Sequence, residues 1–188
     1  MLTLHASENR LARPIPSPTR RLAARVGTLL VLATVGPTAP VEAQATPSLT
    51  IVGEGGVSRT LGIADLQALP QSDVVVEDAD GAQTTFRGPT LRGLATLAGA
   101  PTGRALRGPA MVLAVVAEAS DGYRVGYMLS EIDEQFGART AVVALSANGA
   151  PLPEGDGPLR IIVPEERQRA RWLRQLTTIR IVRVGDRL

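Results

Sequence analysis

No cysteine and no lysine occur in these 188 residues, and the single histidine is His5. Without cysteine no disulfide can support the fold, even in a compartment that permits them. A domain formed by the residues after 45 lacks the imidazole of a Ser-His-Asp system and the thiol of a Cys-His pair. It also lacks the ligands of the usual zinc site and the attachment point of a c-type haem. Aromatic residues make up 3% of the chain, too few for the stacking platforms that grip single-stranded nucleic acid. The missing lysine reads first as the codon usage of a GC-rich genome. Stability therefore rests on burying Val, Ile, Leu and Ala, and most hydrolase and metalloprotein chemistries are excluded.

What is present falls into two parts. Arg20, Arg21 and Arg25 precede an uncharged apolar run at 26–36, and small-residue sites follow at Ala43 and Ala45. A positive flank, an apolar stretch and an A-x-A-like end are the parts of a secretory signal, so residues 1–45 are expected to be a leader and the protein to be exported, periplasmic or secreted. The run is too short to serve as a stable membrane anchor, because a bilayer span takes about 20 residues. Arg20-Arg21 also fits a twin-arginine leader loosely, with Ala23-Ala24 in place of the usual Phe-Leu. Five of the 20 arginines lie in 1–45, which leaves 15 arginines against 16 acids in the remaining 143 residues. A near-neutral domain of this kind is not built for nucleic acid. Its length suits one core.

Along residues 46–188 the pattern predicts many strands and three or four short helices, an α+β domain with mixed or antiparallel sheets. Strands are expected at 49–52, 57–61 and 74–76, with a helix at 64–68 stopped by Pro70. Asp80-Gly81 is a two-residue hairpin signal leading into a strand at 84–87. Gly88-Pro89-Thr90 opens a helix expected to bury Leu91, Leu94, Leu97 and Ala98. The Val-rich run 111–117 reads as a buried strand, turned by Ser120-Asp121-Gly122 into another at 123–128. Ser130 with Asp133 resembles a capped helix start. A strand at 141–145 precedes Asn148-Gly149, where Pro151 and Pro153 suggest a loop and not a tight hairpin.

The last stretch, 157–182, reads GPLRIIVPEERQRARWLRQLTTIRIV. An apolar strand at 159–163 runs into Pro164, four arginines follow (Arg167, Arg169, Arg171, Arg174), and a strand at 178–184 closes it. If 166–176 is helical, Arg167, Arg171 and Arg174 share one side and Trp172, Leu173 and Leu176 the other. Guanidinium groups and free N–H groups at a strand exit suit a phosphate. The alternative is an amphipathic segment with a solvated arginine face. Arg160 is expected to face outward or to pair with an acid, and Trp172 to belong to the core. Glu118 and Asp121, an odd spacing along a strand, fall on opposite faces and make a poor acid–base pair.

This segment resembles the C-terminal end of the oxidoreductase molybdopterin-binding domain family, the sulfite-oxidase-type fold, with its P-L-R-L-V-V-P, basic loop and A-R-W-V-R. Phe86-Arg87-Gly88-Pro89-Thr90-Leu91-Arg92-Gly93-Leu94 is similar to the family's F-x-G-V-P-L-R-x-L-L. Asp121-Gly122-Tyr123-Arg124-Val125 with Leu129-Ser130-Glu131 resembles A-D-G-Y-x-V…L-x-E, and Ile63-Ala64-Asp65-Leu66 with Leu69-Pro70 resembles S-L-A-D-L…L-P. The resemblance implies that fold, and molybdopterin as the cofactor. It implies that Arg171 and Arg174, with Arg167 beside them, contact the pterin phosphate, and that Asp121 and Tyr123 border the pocket. Where the family has a glycine before the A-R pair, this chain has Arg169.

Active members of the family hold molybdenum through a cysteine after the strand that matches 74–76. Here that region reads Glu77-Asp78-Ala79-Asp80, so sulfite-oxidase-type catalysis is not expected. No residue is singled out as catalytic and none as a metal ligand. The expectation is an exported molybdopterin-binding-domain protein in an oxidoreductase system, with a phosphorylated small molecule or pterin as its ligand. The alternative is a non-catalytic periplasmic module that binds an envelope protein partner on the same scaffold.

Overall fold

The computed structural model describes residues 46–137 and 139–185; the expected leader, 1–45, lies outside them. In chain order, β1 (Ser48–Val52) and β2 (Ser58–Gly62) pair, α1 (Ile63–Ala68) follows, and β3 (Gln71–Glu77) turns back into β4 (Gln83–Pro89). Next, α2 (Leu91–Leu97) leads through two 3-10 turns to β5 (Leu113–Ala119) and β6 (Arg124–Met128). Then come α3 (Leu129–Ile132), β7 (Val142–Ala144), β8 (Ser146–Ala147), β9 (Ala150–Pro151) and β10 (Arg160–Ile162). A 3-10 turn at Arg169–Arg171 precedes the last strand, β11 (Leu176–Arg183).

These strands form a five-stranded sheet in the order β2-β1-β11-β5-β6, a four-stranded sheet β3-β4-β8-β9 and a pair β10-β7. The large sheet is mixed: β11 runs parallel to β1 and antiparallel to β5. The pattern predicts an α+β domain with mixed or antiparallel sheets, and the large sheet is of the mixed kind. In β11, Ile179 and Ile181 point into the core while Arg180 stays outside, the period-2 alternation of a half-covered sheet. Leu49, Leu66, Leu91, Leu94, Ile161 and Leu173 are fully buried, and truncating one such leucine to alanine costs about 2–5 kcal/mol.

Local chemistry sets the details that bring the elements together. Thr90 caps α2 by accepting a hydrogen bond from the Gly93 N–H at 3.0 Å. The helix buries Leu91, Leu94 and Ala95; Leu97, expected on this face, is exposed, because a residue six positions after Leu91 has rotated off the stripe. Gly88 lets β4 cross β7 closely: a Cβ there would sit 1.9 Å from the Val143 carbonyl oxygen.

Four further expectations are corrected. Asn148 (φ 50°) and Gly149 (φ 78°) make a tight two-residue hairpin between β8 and β9. Pro151 is tolerated because β9 is an edge strand with no neighbour beyond it. Met111 and Val112 belong to a 3-10 turn, and β5 starts only at Leu113. Helix α3 starts at Leu129 with no side-chain cap, so Ser130 lies inside it and Asp133 ends it. Finally, 166–176 is not an α-helix: only Arg169–Arg171 is helical, as a single 3-10 turn, so the expected face of Arg167, Arg171 and Arg174 does not form.

Candidate functional site

Strand β10 delivers the chain to Val163 and Pro164, and the loop that follows folds back over the strand. The Ile161 N–H donates to the Leu173 carbonyl at 2.8 Å, and the Leu176 N–H to the Leu159 carbonyl at 2.9 Å. Trp172 is buried and donates its indole N–H to the Val163 carbonyl at 3.0 Å. It is a core residue, as expected, and also a shelf: the Arg169 guanidinium lies 4.8 Å above its ring and that of Arg160 lies 5.8 Å away.

The turn 120–123 is tied to the same loop. Asp121 accepts a hydrogen bond from the Tyr123 N–H at 2.9 Å, closing the turn. The Tyr123 hydroxyl then donates to the Ala170 carbonyl at 3.0 Å, and the Ser120 hydroxyl donates to Gln175 Oε1 at 2.8 Å. Between turn and loop lies an open groove of about 560 Å³, lined by Arg160, Arg169, Arg174, Trp172, Tyr123 and Asp121. Three guanidiniums and one carboxylate therefore face it. A smaller groove of about 370 Å³ lies on the five-stranded sheet, where Arg124 pairs with Glu118 and Arg183 with Glu54. The first groove is the candidate, since it holds Arg174, Asp121 and Tyr123 and sets three arginines against one carboxylate, where the second sets Arg124, Arg180 and Arg183 against Glu54 and Glu118.

The carboxylates that balance these arginines stand behind the lining. Asp156 is shared, at 2.6 Å from Arg160 and 3.7 Å from Arg174. Burial lowers the pKa of Arg160, against the pull of Asp156, and its Nε has no protein hydrogen-bond partner. Arg174 keeps 64% of its side chain exposed. Arg169 pairs with Asp78 at 2.6 Å.

Of the residues expected at the site, the structure brings Arg174, Asp121 and Tyr123 together. Arg167 is exposed and does not line the groove. Arg171 turns away from it, with Glu131 at 3.0 Å and Glu166 at 3.1 Å. Its guanidinium lies 4.3 Å above the ring of Tyr127, whose hydroxyl donates to the Arg171 carbonyl. Burial works against the Arg171 charge, but the two glutamates outweigh it and raise its pKa. Burial likewise raises the pKa of Tyr127, which stays a neutral donor. A guanidinium held by two carboxylates has little positive charge to offer a ligand. Arg160 and Arg169 were not expected as lining residues. Strand alternation did not place Arg160 here, and the 3-10 turn that lays Arg169 on Trp172 has no sequence signature of its own.

The described residues hold no converging group of three His, Cys, Asp or Glu side chains, and no described helix is long and apolar enough to cross a membrane. No family model matches the sequence, and no curated protein matches it. Among solved structures, the chain is similar to the sulfane dehydrogenase SoxCD from Paracoccus pantotrophus, with a TM-score of 0.56 and 17% identity. The match covers 74% of this chain and 39% of that one. At such identity the likeness is one of fold.

The residues can be tested against the group that the resembling family carries. A thiolate is the soft ligand that such a metal takes from the protein, and the chain has no cysteine. The matching segment, 77–80, offers only carboxylates, and Asp78 is already engaged by Arg169. The metal half does not fit. The phosphate half fits better, because the Arg174 guanidinium is open at the groove, which Arg160 and Arg169 also line from their pairs with Asp156 and Asp78.

Proposed function

We propose that this chain is an exported binding domain of an oxidoreductase system, one that holds a phosphorylated, pterin-like small molecule and performs no oxygen-atom transfer of its own. The observation that carries this reading is the groove beside Trp172, with three guanidiniums and a single carboxylate in its lining. Arginine suits a phosphate because its fork donates two parallel hydrogen bonds. The exposed ring of Tyr123 and the aliphatic stems of the arginines give an aromatic ring system an apolar edge to rest on. The likeness to a sulfane dehydrogenase and the sequence motifs support the redox setting. The absence of cysteine argues against the metal chemistry of the resembling family.

In this reading the residues have separate tasks. Arg174, the least committed cation, makes the first contact with the anion, while Arg160, fixed on Asp156, supports it from below. Tyr123 and Ser120 hold the rim in place through Ala170 and Gln175.

A second reading draws on the same ion pairs: arginines already matched by Asp78 and Asp156 suit a non-catalytic module whose partner is an envelope protein. The test uses protein purified after export by its native route. Molybdenum is measured by mass spectrometry, bound pterin by fluorescence, and inorganic pyrophosphate is titrated calorimetrically. The proposal expects saturable pyrophosphate binding with molybdenum far below one per chain. Stoichiometric molybdenum would overturn the claim that no metal chemistry remains, and the absence of binding at millimolar pyrophosphate would favour the interaction module.

A further inference from the structure

The hairpin tip between β3 and β4 stands where the resembling family places its metal-ligating cysteine, and here it does something else. Asp78 Oδ1 lies 2.6 Å from Arg169 Nη1, and Arg169 Nη2 donates to the Glu77 carbonyl at 3.3 Å. Residues 92 positions apart are thus joined by one guanidinium fork. The joint is superficial, with 46% of the Arg169 side chain and 45% of the Asp78 side chain exposed. The tip does not need it to stay folded. The Asp78 N–H donates to the Ala82 carbonyl at 2.8 Å, the Gly81 N–H to the Asp78 carbonyl at 2.9 Å, and the Ala82 N–H to Asp80 Oδ1 at 3.2 Å.

Arg169 is also a lining residue of the groove, laid flat on Trp172. Its fork therefore already has an internal occupant, Asp78, which stands outside the groove lining while Arg169 belongs to it. We infer that Asp78 is a resident competitor for Arg169: a phosphate entering the groove takes over the fork, Arg169 stays on the Trp172 shelf, and the hairpin tip is released. This rests on the reading of the groove as an anion site and adds the element that regulates it.

The charges favour the exchange. A carboxylate brings one negative charge and two acceptor oxygens, whereas a terminal phosphate brings nearly two charges and three acceptors. An exposed ion pair is weak and is displaced at small cost. The competition lowers the affinity of every ligand that needs Arg169 by one common factor, so it sets a threshold and leaves the order of preference among ligands unchanged.

The experiment uses the full chain with inorganic pyrophosphate as the probe, in four forms: wild type, Asp78→Asn, Arg169→Ala and the double variant. Asp78→Asn is expected to raise affinity about threefold, the scale of one exposed ion pair. In the Arg169→Ala background the same change is expected to do nothing, because the contested fork is gone. Pyrophosphate is expected to shift the amide NMR resonances of Glu77 and Asp78, the residues that Arg169 touches, in the wild type and to leave them unchanged in Arg169→Ala. If the wild type binds pyrophosphate and Asp78→Asn binds it no better, the competitor role is wrong while the anion site stands. An equal gain in both backgrounds would assign the effect to general repulsion by Asp78 and overturn the inference as well. If neither the wild type nor Asp78→Asn binds at millimolar concentration, the anion site itself falls and takes the competitor with it.

Discussion

Arg171 and Arg174 are three positions apart in one loop, yet they live in opposite surroundings. Arg171 is closed in: Glu131 and Glu166 hold its guanidinium, the Tyr127 ring lies beneath it, and the Glu166 side chain is only 9% exposed. Arg174 is open, with one shared carboxylate at 3.7 Å and a groove in front of it. The difference shows what separates an arginine that holds a fold together from one that can hold a ligand. Residue type and loop are the same; the number of carboxylates and the degree of burial decide.

Removing the closed arginine should have the largest effect. Arg171→Ala leaves Glu166 and Glu131 without their common partner, and breaking such a partly buried cluster should cost about 3 kcal/mol of stability. Chemical denaturation measures it, and pyrophosphate affinity of the folded variant should stay within about twofold of wild type. A loss of affinity without a loss of stability would reverse the roles given to the two arginines.

Arg174→Ala tests the other half. It should weaken pyrophosphate binding about tenfold, or about 1.4 kcal/mol, as expected for one charge-assisted contact. Stability should change by less than about 0.5 kcal/mol, because the side chain is largely in water. Calorimetry and denaturation on the same sample give both numbers. Equal affinity would remove Arg174 from the site.

The sequence was informative where the signal is local. Asp80-Gly81 marked the place of the β3–β4 turn, although the loop runs over 78–82 and is not the two-residue hairpin expected. The strand expected at 178–184 is β11, and Ser120-Asp121-Gly122 gave the turn before β6. The α+β class followed from the number and length of such pieces, while the parallel pairing of β1 with β11 that makes the large sheet mixed had no such signal. The fate of Arg171 was not legible, since Glu131 lies 40 residues away and its approach depends on how α3 packs. The helical arrangement of 166–176, one of those the sequence left open, does not form, for a related reason. Its apolar residues were spaced for a helix, but Leu173 and Leu176 bond back to β10 through the main chain, and that pairing overrides the periodicity. Arg169 meeting the Glu77 carbonyl across 92 positions, and Asp78 beside it, had no sequence signal at all.

Helix α3, which presents Glu131 to Arg171, ends on a second closed group, Asp133, only 2% exposed. Burial disfavours its charge, but the N–H groups of Gly103 (2.8 Å) and Gln135 (3.0 Å), with Arg92 nearby, outweigh it and lower the pKa below the ordinary 3.8. Folding thus favours the ionised form. Its contribution is present above pH 3.8 and is lost as the pH falls through the lowered folded value. Asp133→Asn should cost about 1–2 kcal/mol near neutrality. The gap from wild type should narrow as denaturation is followed down towards about pH 2. A gap that does not depend on pH would mean that shape and not charge matters at this position.

The smallest effect should come from a pair that looks better than the Arg171 cluster on distance alone. Arg87 lies 2.7 Å from Asp73, closer than Arg171 to either glutamate, but both side chains are more than half exposed. If separation set the strength of an ion pair, Asp73→Asn would cost more than breaking the Arg171 cluster. Water screens the exposed pair, and holding two mobile side chains in one geometry costs entropy, so the expected loss is under about 0.5 kcal/mol. It should shrink further in high salt, where the buried cluster should hardly respond. Denaturation midpoints for Asp73→Asn and Arg171→Ala, each at low and high salt, put burial and distance in direct competition. Comparable losses from the two variants would show that burial is not what sets Arg171 apart, and the division between a closed structural arginine and an open ligand-binding one would have to be abandoned.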